Sequence, residues 1–290
     1  MKLPPFEYAS PRTLQEATAL LSKHNGDARP IAGGQSLLPL MAFRLAAPSL
    51  LVDLANIPGL DRIEIRDDGV HVGALTRWCQ IEADRRLTVA HPLLSEAVKH
   101  IAHYQIRNRG TIGGSLAHAD PAAEMPALAI TCGAEIAIAG AKVNRVLAAK
   151  DFITGPLETA LEPGEVITSI RFPKWRSHRR WAFQEFSKRR GDFALGGVAL
   201  HFDEDAQGHA SEVHIGVFGT GDTPERLSPA EEFVRGKKVD AGLAQAAGNI
   251  ARSAVRVASD MHASAAYRQA LIGTLIERAL VEATSRAIEE

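Results

Sequence analysis

Cysteine is almost absent from this chain of 290 residues, which contains only Cys79 and Cys132. The two lie far apart and form no CxxC pair, so the sequence predicts no disulfide framework, and we expect a reducing, cytoplasmic location. Two cysteines also cannot supply the four thiolates that an iron–sulfur cluster usually needs. If the protein works with such clusters, other chains must carry them.

An excess of charge of one sign is missing as well, with 33 basic side chains against 34 acidic ones. This balance argues against nucleic acid or an anionic membrane as a partner. No apolar run approaches the length needed to cross a bilayer, and the first residues, MKLPPFEYASP, lack the apolar core of a secretory signal. We therefore expect a soluble protein without a membrane span.

The spacing of apolar residues predicts an α+β chain without regular βαβ alternation. Helices are predicted over 10–26, 76–85 and 92–102, and strands over 50–54, 70–75, 135–139 and 165–172. After Pro173 the pattern predicts three strands, over 181–187, 197–202 and 212–218. From Ser228 it is helical and ends in a long amphipathic segment over 263–288. We predict two domains, 1–175 and 176–290.

Two glycine-rich segments are the best candidates for a binding site, and we predict that both are loops. They are Ile31-Ala32-Gly33-Gly34-Gln35-Ser36-Leu37 and Thr111-Ile112-Gly113-Gly114-Ser115. Paired glycines allow positive φ and close approach of a ligand to the main chain, and successive N–H groups form a concave site for anionic oxygens. The two segments could hold the two phosphates of a dinucleotide from opposite sides.

Neither segment matches a well-known nucleotide motif, since the GxGxxG spacing and the Lys-Ser/Thr pair of a P-loop are both absent. A single Gly-Gly pair is more often a tight turn than a phosphate site. Two such pairs, each followed by Ser-Leu, carry more weight than one. His118, Asp120 and Glu124 follow the second segment, but their spacing favours a hydrogen-bonded loop over a metal site.

The two segments belong to longer motifs that resemble those of a known family. Residues 29–41 and 105–126 resemble the two FAD-pyrophosphate motifs in medium subunits of carbon monoxide dehydrogenase-like molybdenum hydroxylases, and the likeness covers nearly the whole chain. It implies a two-part FAD-binding domain of the vanillyl-alcohol oxidase/PCMH type up to about residue 175. A small C-terminal domain of the carbon monoxide dehydrogenase flavoprotein type would follow, with a three-stranded antiparallel sheet and helices.

The resemblance also implies a set of cofactor-binding residues and no catalytic or metal-binding side chain. This set is Ile31, Ala32, Gly33, Gly34, Gln35, Ser36, Leu37, Thr111, Gly113, Gly114, Ser115, Glu124, Ile167 and Phe193. The glycine-rich segments would bind the pyrophosphate through backbone amides, and Glu124 would accept from ribose or ribityl hydroxyls. Ile167 would lie against a ring of FAD. Phe193 takes the place of a tyrosine near the isoalloxazine in the carbon monoxide enzymes, and Gln184 that of a lysine in the xanthine enzymes.

The function implied by the resemblance is electron transfer through FAD within a larger assembly. A large subunit would hold a molybdenum cofactor and a small subunit two [2Fe–2S] clusters, in a dimer of heterotrimers. This chain would pass electrons from the clusters to an external acceptor. Two alternatives remain open: a self-contained flavin reductase resembling UDP-N-acetylenolpyruvylglucosamine reductase, and a non-catalytic nucleotide-binding module. The resemblance leaves the substrate and the acceptor open.

Overall fold

In the computed structural model, which describes residues 2–286, the chain forms fourteen strands, twelve α-helices and one short 3₁₀-helix. The elements up to residue 131 are β1 (Glu7–Ala9), α1 (Leu14–Lys23), β2 (Ala28–Ile31), α2 (Leu37–Ala42), β3 (Leu50–Asp53), β4 (Ile63–Arg66), β5 (Gly69–Gly73), α3 (Trp78–Ala83), α4 (Leu87–Ala90), α5 (Pro92–Ala97), the 3₁₀-helix (Val98–His100), α6 (Tyr104–Arg107), α7 (Ile112–His118) and α8 (Glu124–Thr131). The remaining elements are β6 (Glu135–Ala139), β7 (Asn144–Ala148), α9 (Ala149–Phe152), β8 (Ile153–Gly155), β9 (Glu158–Thr159), β10 (Val166–Pro173), β11 (Arg179–Phe186), β12 (Gly196–Glu204), β13 (Ala210–Phe218), β14 (Glu225–Arg226), α10 (Ser228–Val234), α11 (Ala241–Ala254) and α12 (Ala265–Ser285).

The first part of the chain contains two principal sheets of different construction. A parallel three-stranded sheet has the order β1-β3-β2, and α1 connects two of its strands, as a parallel connection requires. An antiparallel five-stranded sheet follows, with the order β4-β5-β10-β6-β7. Each sheet has its own buried apolar cluster, and Val166 of β10 packs into the cluster of the smaller sheet. The two sheets are therefore in direct contact.

The last part of the chain is an antiparallel sheet covered by helices. The order is β11-β12-β13-β14, and the central strand β12 is buried along nearly its whole length. Helices α11 and α12 pack together so closely that a Cβ added to Gly248 would lie 2.5 Å from the Gly273 carbonyl oxygen. Phe183 and Phe218 of this sheet also join the apolar cluster of the five-stranded sheet. The core is thus continuous across residue 175.

Several local predictions need correction. The first helix begins at Leu14 and not at residue 10, because Thr13 is its N-cap and accepts a hydrogen bond from the Glu16 amide. The second Gly-Gly pair lies in the first turn of α7 and not in a loop. The C-terminal sheet has a fourth strand, β14, whose two residues are too few for alternation to be visible in the sequence.

The last helix is long, as the amphipathic pattern predicts, but it runs over Ala265–Ser285. Residues 287 and 288 of the predicted segment lie outside the described residues. Within residues 2–286, no helix is both long and apolar enough to cross a membrane.

Candidate functional site

One large cleft unites the residues singled out in the sequence. All fourteen candidate residues line it, and its volume is about 840 Å³. They come from five separated regions of the chain: the β2–α2 connection, the start of α7, the start of α8, strand β10, and the loop that follows β11. A concave site of this size is typical of small-molecule and cofactor binding.

The first glycine-rich segment joins β2 to α2 and presents a row of free donors. The backbone N–H groups of residues 33–37 make no hydrogen bond to any acceptor within residues 2–286. Gly34 has φ +71°, a conformation that favours glycine. The Gln35 side chain donates to the Gly33 carbonyl oxygen over 3.0 Å, which stabilises this turn. A row of free backbone amides of this kind is able to donate to anionic oxygens.

The second glycine-rich segment is arranged differently. Thr111 is the N-cap of α7, and its Oγ1 accepts from the Gly114 amide over 3.1 Å. The amides of Ile112 and Gly113 donate to the carbonyl oxygens of Thr76 and Ala74. The amides of residues 112–114 are thus already satisfied, unlike those of the first segment. This segment contributes the Ser115 hydroxyl to the cleft, and Gly113 and Gly114 form a stretch of the cleft wall that has no side chains.

Glycine is required where these segments pack against their neighbours. A Cβ on Gly33 would lie 2.1 Å from the Arg109 carbonyl oxygen and 2.8 Å from Gly110 Cα. A Cβ on Gly113 would lie 2.6 Å from that of Ala74. Both distances are far shorter than a normal contact, so a side chain at either position would push the two walls of the cleft apart.

Glu124 is the first residue of α8 and one of the few buried acids, with 8% of its surface exposed. Burial raises the pKa of its carboxyl to about 7, although its own backbone amide and the charge of His100 favour the ionised form. Among the described residues, the only hydrogen bond that bears on this pKa comes from the backbone amide of Glu124 itself. The carboxyl therefore lines the cleft without a hydrogen-bonded side chain as its partner.

Ile167 and Phe193 contribute apolar surface in different ways. Ile167 is buried on β10, while Phe193 lies in the loop after β11 with 68% of its surface exposed. This loop is held near the mouth of the cleft because Gly191, at φ +86°, lies close against the His103 ring. Gln184 does not line the cleft, and its amide donates to the Glu282 carboxylate of α12.

The sequence did not identify several other residues of the cleft, such as Trp78, His103 and Leu157. Trp78 is the first residue of α3, His103 is the N-cap of α6, and Leu157 lies in the turn between β8 and β9. No local pattern in the sequence links them to the glycine-rich segments. His118 and Asp120, weighed above as possible ligands, also line the cleft. In the described part of the chain, no three His, Cys, Asp or Glu side chains are grouped so that they could hold a metal ion.

Comparison with known proteins gives matches along almost the whole chain. Residues 4–175 match the model described as the FAD binding domain in molybdopterin dehydrogenase, and residues 181–283 match the CO dehydrogenase flavoprotein C-terminal domain.

The chain is 39% identical to the nicotine 6-hydroxylase medium subunit of Paenarthrobacter nicotinovorans, over 99% of this chain and 100% of that protein. It is also 39% identical to the 6-hydroxypseudooxynicotine dehydrogenase complex subunit alpha of the same organism, over 99% of this chain and 97% of that protein. Among solved structures, a chain of carbon monoxide dehydrogenase from Hydrogenophaga pseudoflava superimposes with a TM-score of 0.95 at 36% identity, covering 99% of this chain and 100% of that one. That structure lacks the Mo-pyranopterin moiety of its molybdenum cofactor.

Proposed function

The chain belongs to the family of FAD-binding subunits of molybdopterin dehydrogenases, and from this premise we propose that it is the electron-transfer subunit of a heterotrimeric molybdenum hydroxylase. In this proposal it takes electrons from [2Fe–2S] clusters on a small subunit and passes them to an external acceptor. A large subunit carries the molybdenum cofactor. The observation that supports the proposal most is the row of five free amides in the cleft, at residues 33–37.

The residues of the cleft fit FAD in charge and in shape. The free amides of residues 33–37 suit the pyrophosphate, because N–H groups that point into a concave site attract anionic oxygens. Across from them, Gly113 and Gly114 leave the wall of the cleft without side chains, and Ser115 adds a hydroxyl. Ile167 supplies apolar surface for a ring, and Glu124 supplies a carboxyl that can exchange hydrogen bonds with ribose or ribityl hydroxyls.

The role of the protein is to bind and orient the cofactor and to limit its contact with water. When bound, FAD supplies the redox chemistry, taking electrons singly and releasing them singly or in pairs. Phe193, at the mouth of the cleft, would limit access of solvent and of the acceptor to that chemistry. This role does not require a nucleophilic serine like that of serine hydrolases. The sequence agrees, since neither Ser36 nor Ser115 lies in a GxSxG motif.

The assembly and location belong to the same proposal. The relatives are described as a medium subunit and as one subunit of a complex, which supports partner chains for this protein too. We propose a dimer of heterotrimers, a PCMH-type FAD domain over 1–175 and a second domain over 176–290. A cytoplasmic location is favoured by Cys79 and Cys132, which are both free thiols.

The decisive experiment is purification of this chain from its native host, followed by a visible spectrum and a count of subunits. Flavin bands together with iron–sulfur absorbance and two co-eluting chains are the expected result. Flavin on a chain that purifies alone would favour the self-contained flavin reductase. A colourless protein that does not take up FAD would overturn the proposal.

A further inference from the structure

A short backbone segment between the 3₁₀-helix and α6 forms part of the wall of the cofactor cleft. It consists of Ile101, Ala102 and His103, and all three residues line the cleft. Ala102 has φ +44°, a left-handed conformation that costs free energy for a residue with a side chain. Such a conformation persists only where the surrounding structure holds it, so a specific contact must fix this segment.

Arg107, the last residue of α6, makes that contact. Its Nη1 donates to the carbonyl oxygens of Ile101 and Ala102, each over 3.1 Å. These two carbonyl groups belong to the rigid peptide units on either side of the Ala102 Cα, so fixing both of them fixes the φ and ψ of that residue. Hydrogen bonds from an ionised donor are also about twice as strong as those between neutral groups.

The guanidinium group of Arg107 is itself held in place. Its Nε donates to Glu82 Oε2 of α3 over 2.9 Å, and only 14% of the Arg107 side chain is exposed. Arginine suits this position because its planar fork donates in several directions at once, which a lysine ammonium does not reproduce. The side chain therefore ties the segment 101–103 to a neighbouring helix.

The same segment supports the loop after β11, residues 187–193. A Cβ added to Gly191 would lie 2.3 Å from His103 Nδ1 and 2.9 Å from the Ala102 carbonyl oxygen, so the loop packs directly on the segment. The Ala102 carbonyl group thus meets both the guanidinium group and the loop. Gly191 and Phe193 both line the cleft, so the position of the first constrains that of the second, two residues later.

We propose that Arg107 is a positioning residue for the flavin site. Through the carbonyl groups of residues 101 and 102 it fixes the seat of the 187–193 loop, and through the loop it places Phe193 at the mouth of the cleft. The inference rests on the proposed function, because Phe193 limits access to bound FAD. Arg107 itself does not line the cleft, so its loss should change access to the flavin more than retention of the flavin.

Three variants of the full-length chain test this role. Arg107→Met keeps a long side chain but removes every donor. Arg171→Met is the matched control, because Arg171 also donates to one glutamate, Glu135, and to one carbonyl oxygen, that of Asp68, and does not line the cleft. Gly191→Ala pushes the loop off its seat while Arg107 stays intact, so it tests the same seat even if Arg107→Met folds poorly.

The first measurement uses the protein without FAD and follows trypsin cleavage after Lys188, Arg189 and Arg190, which lie in the loop. Cleavage of a folded protein tracks the population in which the cleaved segment has moved out. Loss of two hydrogen bonds from a charged donor should raise this rate at least about tenfold in Arg107→Met. We expect a rise in Gly191→Ala as well and none in Arg171→Met. A folded Arg107→Met with the cleavage rate of the unchanged protein would overturn the proposal, and so would an unchanged rate in Gly191→Ala.

The second measurement uses the FAD-loaded chain and follows reoxidation of the reduced flavin by benzoquinone, a small uncharged acceptor. Arg107→Met and Phe193→Ala should each raise the rate at least about threefold, which exceeds the scatter expected of independent sites. If Arg107 acts through Phe193, the double variant is no faster than Phe193→Ala alone. An effect of the lost charge on the flavin would instead multiply with that of Phe193→Ala, and that result would overturn the proposal.

The two measurements separate this proposal from the proposed function. Failure of the unchanged chain to bind FAD would overturn the proposed function. The trypsin measurement needs no FAD, so it would still decide whether Arg107 holds the loop on its seat.

Discussion

Gly33 lies so close to residues 109–110 that it has no room for a side chain. We therefore predict that Gly33→Ala weakens FAD binding, by an amount that can be worked out. The added Cβ would lie 2.1 Å from the Arg109 carbonyl oxygen, so the first glycine-rich segment must move away from residues 109–110 by roughly 1 Å to reach a normal contact. Inserting a methyl group into a packed site typically costs about 1–3 kcal/mol. Without FAD the segment can relax outward and relieve this strain.

Binding of FAD would return the segment to its strained position, so the cost should be expressed in the dissociation constant. A tenfold change corresponds to about 1.4 kcal/mol, so Kd should rise by between about fivefold and about 150-fold. Titration of the FAD-free chain with FAD, followed by flavin fluorescence, measures this directly. Gly242→Ala is the matched control, because its Cβ would be 3.4 Å from the nearest atom, Asp240 Oδ1, an ordinary contact in the first turn of α11.

Thermal unfolding without FAD distinguishes a local effect from a general one. We expect Gly33→Ala and Gly242→Ala to unfold near the temperature of the unchanged protein. A Gly33→Ala protein with an unchanged Kd would refute the reasoning, since the two glycine-rich segments would then not need their close contact to hold the cofactor. A large loss of thermal stability without FAD would also contradict it, because the strain would not be confined to the loaded cleft.

Three further predictions concern stability and access to the cleft. Burial lowers the pKa of His91 to about 3, so its contribution to stability is complete above its unfolded pKa and is lost as the pH falls; between pH 7.5 and 5.5 the loss is about 1.4 kcal/mol. His91→Asn keeps a capping side chain and should lack this loss. If urea unfolding shows the same change in free energy between the two pH values for both proteins, the prediction is contradicted. Arg268→Met should lower the free energy of unfolding by about 3 kcal/mol, because the carbonyl oxygens of Leu195 and Gly219 lose a buried donor. A free energy of unfolding in urea within about 1 kcal/mol of that of the unchanged protein, which is the cost of one ordinary hydrogen bond, would argue against this. Phe193→Ala should retain FAD but change the rate at which a dye reoxidises the reduced flavin, and identical stopped-flow rates would remove Phe193 from the site.

Local patterns in the sequence were sufficient for the elements with strong periodicity. Alternation over 135–139 predicts β6 with its observed bounds, and the strand predicted over 165–172 differs from β10 by one residue at each end. The predicted start of the first helix was wrong because Ser10 and Thr13 lie close together and either residue type can cap a helix. The structure uses Ser10 to accept a hydrogen bond from Asn56 instead. Such a choice depends on a residue 46 positions away, which periodicity cannot reveal.

The sequence alone determined the general class of the protein and fourteen of the residues that meet in the cleft. Glycine pairs and strand alternation are properties of neighbouring residues, so they can be read without a fold. The tertiary structure decided which donors remain free: the amides of residues 33–37 are unsatisfied, whereas those of residues 112–114 bond within the protein. It also decided that Glu124 is buried, which raises the pKa of its carboxyl to about 7. Burial arises only when distant segments pack together, because it depends on distance in space and not on position in the sequence.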